Sequence, residues 1–170
     1  SGTMPQEIRD LACSLQKNSV LVEVARHPES VAVVEQKFFP VPSHLKADLL
    51  MHLLTRETMK PLLVFSRTKH GADRLHSFLG SHGISSARIH SGLTQSQRKE
   101  AMDGFRQSRW QILIATDIAA RGIDVHDISH VINFDIPNNP DDYIHRIGRT
   151  GRAEKAGTAY TFVSPEEETF

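Results

Sequence analysis

Cysteine is almost missing from this sequence, with Cys13 the only one in 170 residues. A single thiol excludes an intrachain disulfide and any CxxC metal site, and it fits a reducing compartment, so the expected location is the cytoplasm. Cys13 itself reads as a small buried hydrophobe in an N-terminal helix. The histidines are scattered and form no HExxH pair, so no metal site is expected. Long apolar runs are absent too. The longest, such as Pro61–Phe65 and Gln111–Ala115, fall far short of the roughly 20 residues a membrane span needs, and no signal peptide is visible. Finally, neither sign of charge is in excess, with 20 Lys+Arg against 20 Asp+Glu. Bulk basicity is therefore excluded, and any nucleic-acid surface must be a local patch.

What is present is ordinary for one globular α/β domain, with 39% hydrophobic and 24% charged residues. From Lys60 onward, short apolar runs alternate with amphipathic stretches. Leu62–Phe65 reads as a buried strand, and Gly71–Leu79 as a helix with Ala72, Leu75, Phe78 and Leu79 on one face. Ala87–His90, Ile112–Ala115, His130–Phe134 and Thr158–Val163 read as further strands. A helix from Thr94 to Phe105 carries a capping-box pattern, Thr94 at the N-cap and Gln97 three residues on. Continuous apolar strands separated by helices imply a mostly parallel sheet covered on both faces. In such sheets ligands gather at the carboxyl ends of the strands. The first sixty residues are less regular. Pro5–Leu15 suggests a helix, Val20–Val24 and Val33–Phe39 strands, and Ser43 the cap of a helix reaching Leu54 with Leu45, Leu49, Leu50, Leu53 and Leu54 turned to the core. Pro165–Glu168 reads as the start of another helix.

Two blocks carry chemistry. One is Ala115-Thr116-Asp117-Ile118-Ala119-Ala120-Arg121-Gly122-Ile123-Asp124-Val125, directly after a strand. The other is Tyr143-Ile144-His145-Arg146-Ile147-Gly148-Arg149-Thr150-Gly151-Arg152. Before the second, Asn139 can cap a short helix with Pro140 at its first position and Asp141 and Asp142 at its positive end. Gly148 suits the position that ends it. Arg149 and Arg152 would then project from the following loop, and guanidinium forks are well matched to phosphate oxygens.

Together these blocks resemble motifs V and VI of DEAD-box RNA helicases. Phe65-Ser66-Arg67-Thr68-Lys69 resembles motif IV, while His90-Ser91-Gly92 and Gln95-Ser96-Gln97-Arg98 resemble two further elements in the expected order. Arg67-Thr68-Lys69-His70-Gly71-Ala72 is most similar to the bacterial RhlE-type branch. The resemblance implies a RecA-like three-layer sandwich, the C-terminal domain of an ATP-dependent RNA helicase, with residues 1–30 leading in from a linker and 31–170 forming the domain. It assigns Arg149 and Arg152 to the γ-phosphate of ATP as arginine fingers, and Asp124 to the ATP ribose. His145 and Arg146 would couple the ATP and RNA sites, Arg146 by helping to hold an interdomain surface. Arg121 and Asp117 would organise the motif V loop. RNA phosphates and sugars would meet Thr68, Lys69, Gly71, Gly92, Arg98, Thr116 and Gly122. Trp110, the only tryptophan, precedes a strand and reads as packing, so no base-stacking platform is expected.

No GxxxxGK[ST] phosphate loop and no Asp-Glu-Ala-Asp run occurs in the chain. The resemblance places both, with the carboxylates that hold Mg²⁺, in an N-terminal RecA-like domain of the same protein. The expected partners are that domain, ATP with Mg²⁺, and single-stranded or duplex RNA, in a monomer. The isolated chain is expected to be inactive. Rival readings are a docking module without catalysis and a DNA helicase of the same superfamily. Ser1-Gly2 reads either as a cloning remnant joined at Thr3 or as a variant of the Ser-Ala-Thr that the family carries there.

Overall fold

The computed structural model describes Asp10, Ser14, Leu15 and residues 34–120, 128–151 and 156–167. The chain divides into two compact units, Ser1–Ser30 and Val31–Phe170. The readings over Cys13 and Val20–Val24, and most of Pro5–Leu15, lie outside the described residues.

In the second unit the order is β1 (Val34–Pro40), a 3-10 turn (Ser43–Leu45), α1 (Lys46–Arg56), β2 (Leu62–Phe65), α2 (Lys69–Ser81), β3 (Ser86–Ile89) and α3 (Gln95–Arg106). There follow β4 (Ile112–Ala115), α4 (Asp117–Ala120), β5 (His130–Asn133), α5 (Pro140–Ile147), β6 (Gly157–Val163) and a second 3-10 turn (Pro165–Glu167). The six strands form one sheet in the order β1-β6-β5-β2-β4-β3, and every pairing is parallel. Strand side chains alternate between faces, so each central strand feeds two cores. Leu62, Val64, Ile112, Ile114 and Ile132 pack with Leu50 and Leu53 of α1 and Ala72, Leu75 and Leu79 of α2. Leu63, Phe65, Leu113, Ala115 and Val131 pack with Ala101 and Phe105 of α3, Ala119 and Ala120 of α4, and Ile147 of α5. The result is the three-layer α/β sandwich expected from the sequence. No helix among the described residues is long and apolar enough to cross a membrane.

Three local expectations are corrected. Ser43 does not cap α1. It starts a 3-10 turn without a side-chain cap, and its hydroxyl donates to Glu166 Oε2 at 3.0 Å. Leu45 points to solvent, while Lys46 is buried, only 3% exposed, because Glu167 accepts from its Nζ at 2.6 Å. The strand read as running to Phe134 ends at Asn133. There the Phe134 N–H makes the last ladder bond, to the Phe65 carbonyl at 3.0 Å, and the Asp135 N–H leaves the register by turning to the same carbonyl at 3.3 Å.

Candidate functional site

Motif IV forms the turn from β2 into α2. Thr68 is extended and caps α2, its hydroxyl accepting from Gly71 N–H at 2.9 Å. Gly71 has no room for a side chain, since a Cβ there would collide with Ser66 Oγ. Two acids from neighbouring strand ends brace the turn from outside. Asp135 accepts from Ser66 Oγ at 3.0 Å and Arg67 N–H at 2.8 Å. Glu167 pairs with the Arg67 guanidinium at 2.5 Å. Burial opposes the Glu167 charge, but Lys46 and the Ser164 hydroxyl and N–H hold its carboxyl below the ordinary range. Thr68 and Lys69 remain exposed.

At the end of β3 the chain turns through His90, Ser91 and Gly92 into α3. Thr94 caps α3 with the complete capping box, and Arg98 sits half-buried one turn in. Gly92 N–H donates to His90 Nδ1 at 3.1 Å. A Cβ on Gly92 would lie 3.6 Å from Lys69 Cδ, so the Lys69 stem runs alongside this loop. The N–H groups of Gly71 and Gly92 are thus both spent within the domain, and these glycines serve by close approach of backbone rather than as free donors. At the end of β4, Thr116 is buried and its carbonyl accepts from Ala120 N–H at 2.8 Å. Because β2, β4 and β3 are adjacent in the sheet, Thr68, Gly92 and Thr116 share one edge, within roughly 10 Å at ordinary strand spacing. Gly122, Asp124, Arg121 and Arg152 lie outside the described residues.

Motifs V and VI meet at Arg146. Its side chain, 1% exposed, is aimed at the sheet, with Nε and one terminal nitrogen donating to the two Asp117 oxygens at 2.6 and 2.8 Å. The other terminal nitrogen donates to Asn133 Oδ1 at 3.2 Å and the Asp135 carbonyl at 2.6 Å. The guanidinium also lies 5.0 Å from the Phe65 ring centre. Arg146, which the resemblance assigns to an interdomain surface, has its direct contacts with the motif V acid, two strand ends and a core ring. Asp117, read as a loop organiser, accepts from Arg146 with both carboxylate oxygens.

The far end of α5 carries His145 and Arg149. Asn139 caps the near end, accepting from Asp142 N–H at 2.8 Å, with Pro140 in the first turn. Gly148 ends the helix with φ −66°, not in the left-handed region usual for a terminal glycine. Glycine is favoured there because a Cβ would sit 3.1 Å from the Ile144 carbonyl. The left-handed residue is Gly151, φ +68°. Between them Thr150 is buried, its hydroxyl donating to the Ile128 and Ser129 carbonyls at 2.5 and 3.1 Å, which anchors the arginine loop beside the start of β5. Arg149 Nε donates to the His145 carbonyl at 3.3 Å, and His145 is exposed. α5 is eight residues long, about 12 Å from the Asn139 cap to the end that carries His145. Thr68, Lys69, Gly71, Gly92 and Thr116 thus follow the carboxyl ends of three adjacent strands, and His145 and Arg149 lie at the C-terminal end of α5. Trp110 packs over Gly104, where a Cβ would collide with its ring, as its position suggested.

Asp135, Glu167, Asn133 and Asp73 were not anticipated. The strand-end rule marks Asp135, which lies two residues beyond the end of β5. No sequence signal pairs Glu167 with Lys46 and Arg67, because all three come from separate elements.

Comparison with known proteins agrees with the motif blocks. Residues 45–154 match the helicase conserved C-terminal domain family. The DEAD-box ATP-dependent RNA helicase RhpA of Helicobacter pylori is 40% identical over 167 residues, covering 98% of this chain and 34% of that protein. CshA of Geobacillus kaustophilus is 41% identical over 167 residues, covering 98% of this chain and 36% of its own length. The chain thus spans about a third of the curated relatives it matches, and these relatives do not specify the RhlE-type branch. Among solved structures, the Escherichia coli DEAD-box protein SrmB, bound to regulator of ribonuclease activity A, superposes with a TM-score of 0.74 at 37% identity over 80% of each chain. Saccharomyces cerevisiae Dbp5 bound to RNA and ADP BeF3 superposes at 0.79 with 32% identity, over 96% of this chain and 44% of that one. With its motif blocks in order on a parallel three-layer sandwich, the chain belongs to the helicase conserved C-terminal domain family, in its DEAD-box form.

Proposed function

We propose that this chain is the C-terminal half of an ATP-dependent RNA helicase, residues 31–170 forming the domain and 1–30 leading in from a linker. The observation that carries the proposal is the buried Arg146–Asp117 pair, bidentate at 2.6 and 2.8 Å. It ties the end of β4, on the edge that offers Thr68, Lys69, Gly71, Gly92 and Thr116, to the helix that presents His145 and Arg149. A change felt at either place has a rigid route to the other, and coupling of RNA to ATP needs such a route.

Arg149 and Arg152 act on the γ-phosphate as fingers, each matched by charge and fork geometry to phosphate oxygens. Asp124 accepts from the ribose, and Gly122 and Arg98 complete the RNA edge. His145 couples the two sites from the surface, and Arg146 does so through Asp117. ATP supplies the phosphoryl group. Mg²⁺ is assigned, as the resemblance implies, to an N-terminal RecA-like domain. That domain also brings the phosphate loop, which this chain lacks. RNA and ATP bind across the cleft between the domains, and closure bends the strand out of duplex form. The protein acts in the cytoplasm as a monomer.

The test compares ATP hydrolysis by the 170-residue chain alone with that of the two-domain protein. The chain alone should show no turnover, and the two-domain protein should be stimulated by RNA. Hydrolysis by the purified chain that disappears in Arg149→Ala would overturn the split-site reading.

A further inference from the structure

The loop that carries Gly92 is held by the side chain of His90, the first residue of the His90-Ser91-Gly92 element. His90 is 4% exposed, and both ring nitrogens are engaged. Nδ1 faces the Gly92 N–H at 3.1 Å, and Nε2 faces Asp73 Oδ1 of α2 at 3.0 Å. A backbone N–H can only donate, so Nδ1 must present its lone pair and the ring proton must sit on Nε2, where the Asp73 carboxylate accepts it. Asp73 is in turn paired with Arg88 of β3. Burial works against its charge, but His90 and Arg88 outweigh that and keep its carboxyl below the ordinary range. It is therefore an ionised acceptor at neutral pH. On the other side of Gly92 runs the stem of Lys69, 3.6 Å from where a Cβ would stand. One chain of contacts thus joins α2, β3 and the loop into α3, and it ends at two residues of the RNA-side edge.

We infer that Asp73 and His90 form a positioning relay for RNA binding. Asp73 fixes the imidazole tautomer, and the tautomer fixes the Gly92 backbone beside Lys69. The inference rests on the proposed function, since it takes this edge to be the RNA contact. Neither residue touches RNA. Their effect is on how well the edge is pre-formed, so it falls on RNA affinity and leaves turnover at saturating RNA alone.

Isosteres separate the relay from general structural damage. Asn places its amide oxygen where His has Nδ1, so His90→Asn keeps the acceptor for Gly92 and no longer needs Asp73. Gln places its amide nitrogen where His has Nε2, so His90→Gln keeps the Asp73 contact and loses that acceptor. The experiment is a double-mutant cycle in the two-domain protein, reading the RNA concentration for half-maximal ATPase stimulation, kcat and thermal unfolding together. Asp73→Ala should raise half-saturating RNA about fivefold, the scale of one hydrogen bond, with kcat within about twofold. Added to the H90N background, the same substitution should change half-saturation by less than about twofold, because no imidazole is left for Asp73 to orient; the loss of the Arg88 pair is common to both backgrounds and cancels in the cycle. His90→Gln should match Asp73→Ala. Equal effects of Asp73→Ala in both backgrounds, or no effect in the first, would overturn the relay. If H90N unfolds, the D73A and H90Q proteins decide: matched rises at unchanged kcat support it, and unequal ones overturn it. Absence of RNA stimulation in the unsubstituted protein would overturn the proposed function, and the relay with it.

Discussion

At the carboxyl ends of β2 and β3 each turn is tied by bonds that span three residues, Thr68 to Gly71 and Thr94 to Gln97. At the junction of β4 and α5, one guanidinium reaches 29 residues back along the chain to Asp117 and is buried doing so. The short ties set the entry angle of a helix and leave its exposed residues in place for a ligand. The long tie joins elements that share no local signal, and its removal strands a charge in the interior. The two regions should therefore respond to substitution on different scales and in different observables.

The largest effect is expected at the long tie. Arg146→Ala should lower unfolding free energy by about 3 kcal/mol, because the buried Asn133 amide oxygen loses its donor and the half-buried Asp117 carboxylate loses both of its own. Chemical denaturation of the 170-residue chain measures it. Pairing Arg146→Met with Asp117→Leu should recover much of the loss, since removing both charges leaves neither unpaired. A pair no more stable than R146A would mean that the packing of the guanidinium on Phe65, rather than charge, dominates there.

Next comes the exposed cation of the RNA edge. Lys69→Ala in the two-domain protein should weaken RNA binding about fivefold and lower the slope of log affinity against log salt by about 0.7, the signature of one lost phosphate contact on a single strand. Binding titrations at several salt concentrations give both numbers, and an unchanged slope would remove Lys69 from the RNA contact. Thr94→Ala should cost about 1 kcal/mol of stability through loss of the capping box, seen in the same denaturation assay. It should leave ATP turnover at saturating RNA alone.

The smallest effect is in pH. Burial, the main cause, pushes the imidazoles of His76 and His130 below their ordinary 6.5, with Arg88 and Lys37 respectively adding to it. The folded chain then binds fewer protons than the unfolded one just below that value. Stability contributed by these residues is full above pH 6.5 and is lost as pH falls through the depressed folded values. A pH series of unfolding curves should slope downward on the acid side, and His130→Gln should flatten it. A slope of opposite sign would show that these imidazoles gain protons on folding.

The contrast between short and long ties also explains what could be read from the sequence. The sheet was legible because each central strand is an unbroken apolar run bounded by polar turns, and the caps at Thr94 and Asn139 lie within three residues of their targets. The strand-end rule pointed to the loops that hold Thr68, Gly92 and Thr116, and the resemblance singled out those residues within them. The inward turn of Arg146 was not legible: next to His145 and Arg149 in sequence, only the helical phase of α5 separates it from the surface. Lys46 and Glu167 were missed for a related reason, since an ion pair between α1 and the turn after β6 leaves no periodic trace. Leu45 was expected inside because it is leucine in an apolar stretch, but the 3-10 turn at Ser43–Leu45 shifts the phase and brings Lys46 inward in its place.

The central claim is that Arg149 and Arg152 complete an ATP site whose other half lies in a second domain. RNA-stimulated ATPase of the two-domain protein, measured for wild type, Arg149→Ala and Arg152→Ala beside direct RNA binding, tests it most directly. The account predicts turnover down by about 10³ or more for each variant, with RNA affinity within a few-fold of wild type. Turnover unchanged in both variants would contradict it and leave motif VI a structural element of a docking domain.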